Sequence, residues 1–170
     1  MPARATVLIL AMFSIFASRL TALQVGDAAP QVTAEDQSAQ PVAFADVYAK
    51  GLTLVYFYPK ADTPGCTAQA CSLRDSFASL TGENLHILGV SRDTPAAQKK
   101  FQEKYQIPFP LIADTDGKVA DAFGVGRILG MPVSKRESFL IKDGKVAWIS
   151  RSAKTGEHAA EVQAAIYALK

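Results

Sequence analysis

The hydrophobic and polar positions of this chain alternate between short apolar runs and longer segments with one apolar face. The run 52–58 (LTLVYFY) is continuously apolar, β-branched and aromatic, which is typical of a central strand covered on both sides. A second run, 85–90 (LHILGV), has the same character. Further short strands are expected at 109–113, 138–141 and 146–149, the last two joined by a hairpin turn at Asp143-Gly144.

Helices are predicted between these strands. After Pro64-Gly65, apolar residues recur at intervals of three and four, which favours one amphipathic helix through Ala70, Leu73, Phe77 and Leu80. Thr94-Pro95 supplies an N-cap and a first-turn proline for a helix to about Tyr105. Two more helices are expected, at 118–123 and 155–169.

The order of these elements predicts an α/β protein with a thioredoxin-like fold, a central β-sheet flanked by helices. The segment Val25 to Phe44 has a weak pattern that would add an N-terminal β-hairpin at one edge. At 170 residues the chain is long enough for one domain. Its net charge of +2 is dispersed and forms no basic stripe, so no nucleic acid partner is expected.

The N-terminus carries a separate signal. Thr6 to Ala17 is almost wholly apolar and follows Arg4, but it is shorter than the ~20 residues that a membrane helix needs. It has the size and flanks of the hydrophobic part of a secretory signal, with Ala17 and Ala22 as alternative cleavage points. We therefore expect residues 1–22 to be a signal peptide, residues 23–170 to be one domain, and the product to be periplasmic or otherwise exported. An uncleaved membrane anchor through residues 6–17 and a buried core helix remain the alternatives.

Both cysteines of the protein, Cys66 and Cys71, lie where the strand 52–58 gives way through a Pro/Gly turn to a helix. A thiol at the start of a helix meets unpaired backbone N–H groups and the positive end of the helix dipole, and both favour the thiolate. The thiolate is the nucleophilic form, and a second cysteine nearby can capture the first once it is oxidised. The pair therefore indicates redox chemistry.

Other interpretations of the cysteine pair are weaker. A structural disulfide would suit an exported chain, but it would close a very small loop and break the start of a helix. A metal site needs more ligands than two cysteines with His86 and His158 offer at this spacing, so neither a metal nor a cofactor is expected. We expect His86, inside an apolar strand, to be a core side chain and His158 to be solvated. The chain has no C-x-x-C motif of the thioredoxin type.

Pro59-x-x-x-Thr63-x-x-Cys66 resembles the active-site motif of the peroxiredoxins. The fuller string YFYPKADTPGCTAQACSLRD is similar to the subfamily called peroxiredoxin Q or bacterioferritin-comigratory protein. The resemblance continues through GDAAP at 26–30, LGVSRDTP at 88–95 and RESFLIKDGKV at 136–146. It implies a thioredoxin-like fold with an N-terminal hairpin, and thiol-dependent reduction of hydrogen peroxide and organic hydroperoxides.

The resemblance also implies roles for individual residues. Cys66 would be the peroxidatic nucleophile, and Cys71 would resolve its sulfenic acid within one chain. Thr63 would present its hydroxyl to the peroxide and the sulfur, and Pro59 would shield the loop from water. Arg136 would lie over the thiolate, although from its own surroundings it would be interpreted as a solvated strand-edge charge.

Helix geometry adds a constraint on resolution. At ~1.5 Å rise and ~100° per residue, the Cα atoms of Cys66 and Cys71 would be about 8–9 Å apart. This exceeds the usual limit of ~7 Å for a disulfide. The first turn of the helix must therefore unwind before Cys71 can attack.

The segment 124–135 (GVGRILGMPVSK) is shorter and more apolar than its counterpart in the subfamily. Leu129, Met131 and Pro132 would be walls for bulky hydroperoxides or simple packing, and we expect packing. The resemblance implies thioredoxin or a thioredoxin-like donor as reductant, and with no C-terminal extension bearing a cysteine we expect a monomer. A redox sensor or holdase that uses the same thiol switch without turnover is the alternative function.

Overall fold

The computed structural model describes residues 22–170, which form a central sheet with helices on both faces and a separate hairpin. The run Thr6 to Ala17 lies outside the described residues. Within residues 22–170 no helix is long and apolar enough to cross a membrane. The elements in chain order are β1 Thr33–Glu35, β2 Pro41–Ala43, α1 Phe44–Tyr48, β3 Leu52–Phe57, α2 Pro64–Asp75, α3 Phe77–Gly82, β4 Leu85–Ser91, α4 Pro95–Tyr105, β5 Leu111–Ala113, α5 Lys118–Ala122, β6 Ser138–Lys142, β7 Lys145–Ser150 and α6 His158–Ala168.

The central sheet has the strand order β5-β4-β3-β6-β7. Strand β3 is parallel to β4 and antiparallel to β6, so it lies in the middle and is buried on both faces. Strands β6 and β7 form the hairpin expected at Asp143-Gly144. The hairpin expected near the N-terminus is also present, as the antiparallel pair β1 and β2. These features confirm the predicted α/β class.

Successive side chains of β3 point to opposite faces of the sheet, and each face carries its own hydrophobic core. Leu54, Tyr56 and Tyr58 pack on one face against apolar residues of α2, α4 and α6. Val55 and Phe57 pack on the other face against residues of α1, α5 and the strands. Both cores are dense in aromatic rings, because the apolar run of β3 alternates between them.

The helix expected after Pro64 is in fact two helices. Ser76, with φ −99° and ψ 7°, interrupts the helical path between α2 and α3. The predicted apolar positions Ala70, Leu73 and Leu80 are nevertheless all fully buried. Since the apolar repeat continues across the break in phase, the periodicity alone did not reveal it.

The prediction that Leu129, Met131 and Pro132 pack into the protein is wrong. Leu129 is 99% exposed and Met131 is 51% exposed. A bridge between Arg127 and Ser134 closes this segment into a short hairpin that projects from the surface. Its apolar tip therefore contacts neither core.

The sheet requires a glycine in the middle of β4, which gives a test of the packing. A Cβ atom at Gly89 would lie 2.7 Å from the Tyr56 hydroxyl and 2.8 Å from Leu111 Cδ2, whereas a Cβ atom at Gly82 would meet nothing within 4 Å. We expect Gly89→Ala to lower the free energy of unfolding by about 1–3 kcal/mol. The matched variant Gly82→Ala should raise it by about 0.4–1 kcal/mol. Urea denaturation measures both, and equal effects of the two substitutions would contradict the close packing around Gly89.

Candidate active site

Cys66 lies in the first turn of α2 and is only 2% exposed. Helix α2 begins there because Thr63 is extended and Pro64 follows it at the first helical position, where a missing N–H costs nothing. The first backbone bond of the helix runs from the Thr67 N–H to the Thr63 carbonyl at 2.8 Å. The N–H groups of Gly65 and Cys66 precede this bond, so they have no acceptor within the helix. They are available to an oxygen bound at the sulfur.

The Arg136 side chain reaches this turn from the start of β6. Its Nη2 donates to Cys66 Sγ at 3.4 Å, and its Nη1 donates to Gln69 Oε1. Gln69 is fully buried and lies one turn after Cys66, on the same face of α2. The absence of a side chain at Gly65 permits this approach, because a Cβ atom there would lie 3.3 Å from Nη2. The guanidinium therefore places its positive charge beside the sulfur.

The loop between β3 and α2 is held by polar contacts to the end of β4 and the residues that follow it. The Asp93 carboxylate accepts a hydrogen bond of 2.7 Å from the Ala61 N–H and another of 2.7 Å from the Ser91 hydroxyl. Pro59 opens this loop and is half-buried. The Thr63 hydroxyl donates to the Lys60 carbonyl at 2.9 Å, so its oxygen lone pairs remain available as acceptors.

Asp62 adds a second tie to the same loop. It adopts a left-handed conformation with φ +59°, a region that aspartate tolerates better than most residues. Its carboxylate accepts from Lys104 at 2.8 Å and from the Tyr105 hydroxyl at 2.7 Å. These partners hold the pKa of Asp62 below its ordinary value, the Lys104 hydrogen bond being the largest cause. The loop is thus fixed on both sides of its turn.

Two tyrosines of β3 and its extension form the buried floor near Cys66. The rings of Tyr56 and Tyr58 stack with centroids 5.5 Å apart, and both are almost fully buried. Burial raises the pKa of each phenol well above its ordinary value. Both phenols are therefore neutral, and Tyr58 donates its hydroxyl hydrogen to Gln98.

The expectations for the two histidines were both wrong. His158 is fully buried, with Nε2 3.1 Å from the Ser138 hydroxyl and Nδ1 3.2 Å from a Glu161 oxygen. A 3-10 turn at Thr155–Glu157 directs this first residue of α6 into the protein. His86 is only half-buried, because β5 pairs with β4 from Gly89 onward and leaves the earlier part of β4 open. No local signal separated these two histidines.

Cys71 lies in the same helix and is half-buried, and both cysteines are free. Helix α2 is intact from Pro64 to Asp75, so the separation estimated from helical geometry applies to the pair. Two contacts hold the later part of this helix. The Ser72 hydroxyl accepts from the Ala159 N–H at 3.1 Å, and Arg74 donates to the Tyr105 carbonyl at 2.8 Å. Arg74 also forms an ion pair with Asp75, at 2.7 Å.

The structure thus brings Arg136 to Cys66 in the first turn of α2, and it places Thr63 at the N-cap of that helix. Pro59 lies at the start of the preceding loop, and Cys71 lies further along α2. Gln69 was not identified from the sequence, because glutamine in a helix carries no distinguishing local signal. Its spacing of three from Cys66 was the only available indication. Among residues 22–170, no group of three or more histidine, cysteine, aspartate or glutamate side chains is arranged to hold a metal ion.

The chain is similar to known proteins over most of its length. Residues 25–149 match the AhpC/TSA family. The chain is 40% identical over 142 residues to "Peroxiredoxin Bcp" of Escherichia coli, which covers 80% of this chain and 90% of that protein.

Two solved structures resemble the fold closely. The crystal structure of peroxidoxin BcpB from Mycobacterium tuberculosis has a TM-score of 0.81 at 32% identity, covering 87% of this chain and 99% of that one. A structure of the bacterioferritin comigratory protein of Xanthomonas campestris has a TM-score of 0.77 at 27% identity, covering 86% and 97%. These similarities confirm the thioredoxin-like fold and the predicted family resemblance.

Gln69 is expected to be a positioning residue for Arg136. In Gln69→Leu the guanidinium loses its acceptor, and the rate of Cys66 oxidation by hydrogen peroxide should fall about 10- to 100-fold, the equivalent of one hydrogen bond to a charged group. Gln69→Glu keeps an acceptor and should restore most of the rate. Stopped-flow measurement of the second-order rate constant is the test, with Gln163→Leu on the outer side of α6 as control. Equal rate constants for Gln69→Leu and the wild type would show that Gln69 does not position Arg136 for the reaction.

His158 predicts a pH dependence of stability. Burial lowers its pKa below the ordinary 6.5, and Glu161 only partly opposes this. The unfolded chain therefore binds a proton at a higher pH than the folded protein does, so stability is lost as the pH falls below about 6.5. Between about pH 7.5 and about pH 5.5, wild type should lose more unfolding free energy than His158→Asn. Urea titrations at the two pH values measure this loss, with His86→Asn as the matched control. If His158→Asn loses as much unfolding free energy as the wild type, the pH dependence does not come from His158.

Proposed function

The chain belongs to the AhpC/TSA family and within it to the peroxiredoxins of the Bcp type, and on this premise we propose a complete two-cysteine peroxidase cycle for it. A peroxiredoxin has thiol peroxidase activity, and dependence on thioredoxin is typical of the family. The proposal concerns the residues that perform the reaction, the substrates and the reductant. The contact of Arg136 with Cys66 at the start of α2 is the observation that carries it.

In the first step the Cys66 thiolate attacks one oxygen of the hydroperoxide. A sulfur–oxygen bond forms as the oxygen–oxygen bond breaks, which oxidises the thiol to a sulfenic acid. The leaving oxygen takes a proton and departs as water or an alcohol. Negative charge develops on that oxygen, and donors already in place stabilise it more effectively than solvent does. Arg136 and the N–H groups of Gly65 and Cys66 are the donors that we assign to this task.

Thr63 and Pro59 complete the pocket in this proposal. The Thr63 hydroxyl donates to the Lys60 carbonyl, so its oxygen can accept a hydrogen bond from the O–H of a hydroperoxide. Such a bond would orient the substrate with its oxygen–oxygen bond in line with the sulfur. Pro59, half-buried at the start of the loop, limits the access of water to the backbone there.

In the second step the Cys71 thiolate attacks the sulfenic sulfur of Cys66. A disulfide forms as the sulfur–oxygen bond breaks, and the departing hydroxyl takes up the proton that the Cys71 thiol has given up and leaves as water. Both residues are free and in an intact helix in the reduced structure, so the first turn of α2 has to unwind for this step. Thioredoxin or a thioredoxin-like protein would then supply two electrons and return both thiols. The pairing lies within one chain, and we propose that the protein acts as a monomer.

Organic hydroperoxides are proposed as substrates beside hydrogen peroxide. The bacterioferritin comigratory protein of Xanthomonas campestris, to which this fold is similar, has alkyl peroxide reduction activity. We also propose that the apolar run Thr6 to Ala17 directs export, with residues 1–22 as the signal peptide, or else remains as a membrane anchor. In either case the reductant must be present in the compartment where the domain lies.

Two cysteine variants test the cycle. Cys66→Ser should lose all peroxide consumption with thioredoxin and with dithiothreitol, because no sulfenic acid can form. Cys71→Ser should lose thioredoxin-linked turnover, yet still react once or turn over with the small thiol. Peroxide consumption per chain is the measurement, and far-UV circular dichroism should show helix loss when the wild type is oxidised.

A different outcome would replace the proposal. Activity that survives in Cys66→Ser would exclude this residue as the nucleophile. Consumption of only about one peroxide per chain by the wild type with a working reductant would indicate a redox sensor or holdase. Oxidation without any helix loss would contradict the unwinding of α2.

A further inference from the structure

The hairpin of residues 127–134, here called the Leu129 hairpin, projects from the surface two residues before Arg136. Its shape is held by its own backbone. The Ile128 N–H donates to the Val133 carbonyl at 3.0 Å, and the Met131 N–H donates to the Ile128 carbonyl at 3.0 Å. Gly130 turns the chain with φ +78°, a conformation that glycine adopts without strain. The outward direction of the tip is therefore built into the hairpin.

The tip of the Leu129 hairpin is apolar. Leu129 is 99% exposed, the highest value among the large exposed hydrophobic residues of the described chain, and Met131 is 51% exposed beside it. Single exposed apolar residues are ordinary on protein surfaces. Two neighbouring ones on a projecting turn form instead a small wedge, which can enter an apolar phase without any rearrangement of the domain.

Two exposed positive charges flank this wedge. Arg127 and Lys135, both exposed, stand at the two ends of the hairpin, and residues 127–135 contain no acidic residue. The neighbouring Arg136 is not counted here, because its guanidinium is engaged with Cys66 and Gln69. The side chain of Lys135 lies along the base of the hairpin, 3.6 Å from the position of a Cβ atom at Gly126. An apolar tip flanked by cations matches the surface of a bilayer with anionic headgroups, where the tip enters the acyl boundary and the cations meet the lipid phosphates.

The N-terminal segment leaves the domain near the base of the Leu129 hairpin. The Leu23 carbonyl accepts a hydrogen bond from Arg151, and Arg151 pairs with Glu137, the residue after Arg136. The apolar run that ends at Ala17 precedes Leu23 by six residues, which can span at most about 20 Å. Whenever that run is in a membrane, the hairpin side of the domain is therefore held close to the same bilayer.

A protein partner fits this patch less well. A stable protein interface buries about 800 Å² on each partner and is formed by about 20–30 residues a side. The wedge offers two large apolar side chains, whereas membrane contact needs only shallow insertion and charge attraction.

We propose that the Leu129 hairpin inserts its tip into anionic lipid bilayers and thereby presents the Cys66 site to lipid hydroperoxides. The proposed membrane contact depends only on the structure of the hairpin. The proposed use of lipid hydroperoxides as substrates rests on the proposed peroxidase function. A lipid hydroperoxide would be reduced by the same attack of the Cys66 thiolate on the oxygen–oxygen bond, with a lipid alcohol as the leaving product. The contact is weak by itself and reversible, since it consists of a small apolar insertion and a few charges.

A single-tryptophan probe tests the membrane contact in the full chain. The protein has one tryptophan, Trp148, so Trp148→Phe with Leu129→Trp leaves one indole at the tip. With vesicles of phosphatidylglycerol and brominated phosphatidylcholine, its emission should shift to the blue and be quenched, and more weakly so without the anionic lipid. The matched control carries Tyr167→Trp with Trp148→Phe, since Tyr167 is 56% exposed near the other end of α6.

Each other result of this experiment overturns the contact. If the brominated lipid does not quench the tryptophan at position 129, or quenches a tryptophan at position 167 equally, the hairpin does not bind the bilayer. A blue shift that needs no vesicles and grows with protein concentration would identify the hairpin as an interface between copies of the chain.

Kinetics test the substrate. The double variant Leu129→Glu with Met131→Glu should reduce hydrogen peroxide like the wild type, but should turn over a phospholipid hydroperoxide in anionic vesicles about tenfold more slowly. Tyr167→Glu should change neither rate. Equal lipid hydroperoxide rates for wild type and double variant would refute the role of the hairpin. Failure of the wild type to reduce hydrogen peroxide would refute the proposed function instead, while the quenching result would still decide the membrane contact.

Discussion

The contact of Arg136 with Cys66 and Gln69 joins two parts of the chain that lie 70 residues apart, and the arrangement of the site depends on it. It exists because β3 and β6 are neighbours in the sheet, with Tyr56 paired to Ser138. The thiol follows the end of β3 and the arginine precedes the start of β6, so antiparallel pairing brings them to the same edge. A partly buried guanidinium requires acceptors, and the buried amide of Gln69 supplies one from the same helix as the thiol.

The rest of the fold holds that edge in place to different degrees. The loop before Cys66 is tied by Asp93 and Asp62 on both sides, which suits a site that must be ready before substrate arrives. The later part of helix α2 is held by the Ser72 hydroxyl, which accepts from the Ala159 N–H, and by Arg74, which donates to the Tyr105 carbonyl. The buried side chains of Ala70 and Leu73 hold it to the core as well. The first turn precedes these anchors, so it would be the part that opens while the later turns stay packed in the core. In the proposed cycle the same helix would hold Cys66 for attack on peroxide and would open at its first turn for resolution.

The Leu129 hairpin beside the site is exposed to solvent, whereas Cys66 itself is buried. The Leu129 hairpin carries apolar residues and cations outward, and the tie from Leu23 through Arg151 to Glu137 brings the N-terminal segment to the same side. The chemistry at Cys66 would be the same for any hydroperoxide. In the proposal, the hairpin would determine only where the protein meets a hydroperoxide, so the choice of substrate would not depend on the residues that react.

Local patterns in the sequence predicted the strands, most of the helices, the β1–β2 and β6–β7 hairpins, and a thiol at the start of a helix. These features follow from periodicity, caps and turn residues, which act over a few positions. Position in the family motif also identified Arg136, although its own neighbours in the sequence indicate only an exposed charge. Gln69 and the burial of His158 were decided by tertiary structure, because each depends on a partner brought in by another strand or helix. The break at Ser76 and the exposure of Leu129 likewise depend on what lies beside them. Burial and charge pairing are properties of neighbours in space, whereas periodicity reports only neighbours along the chain.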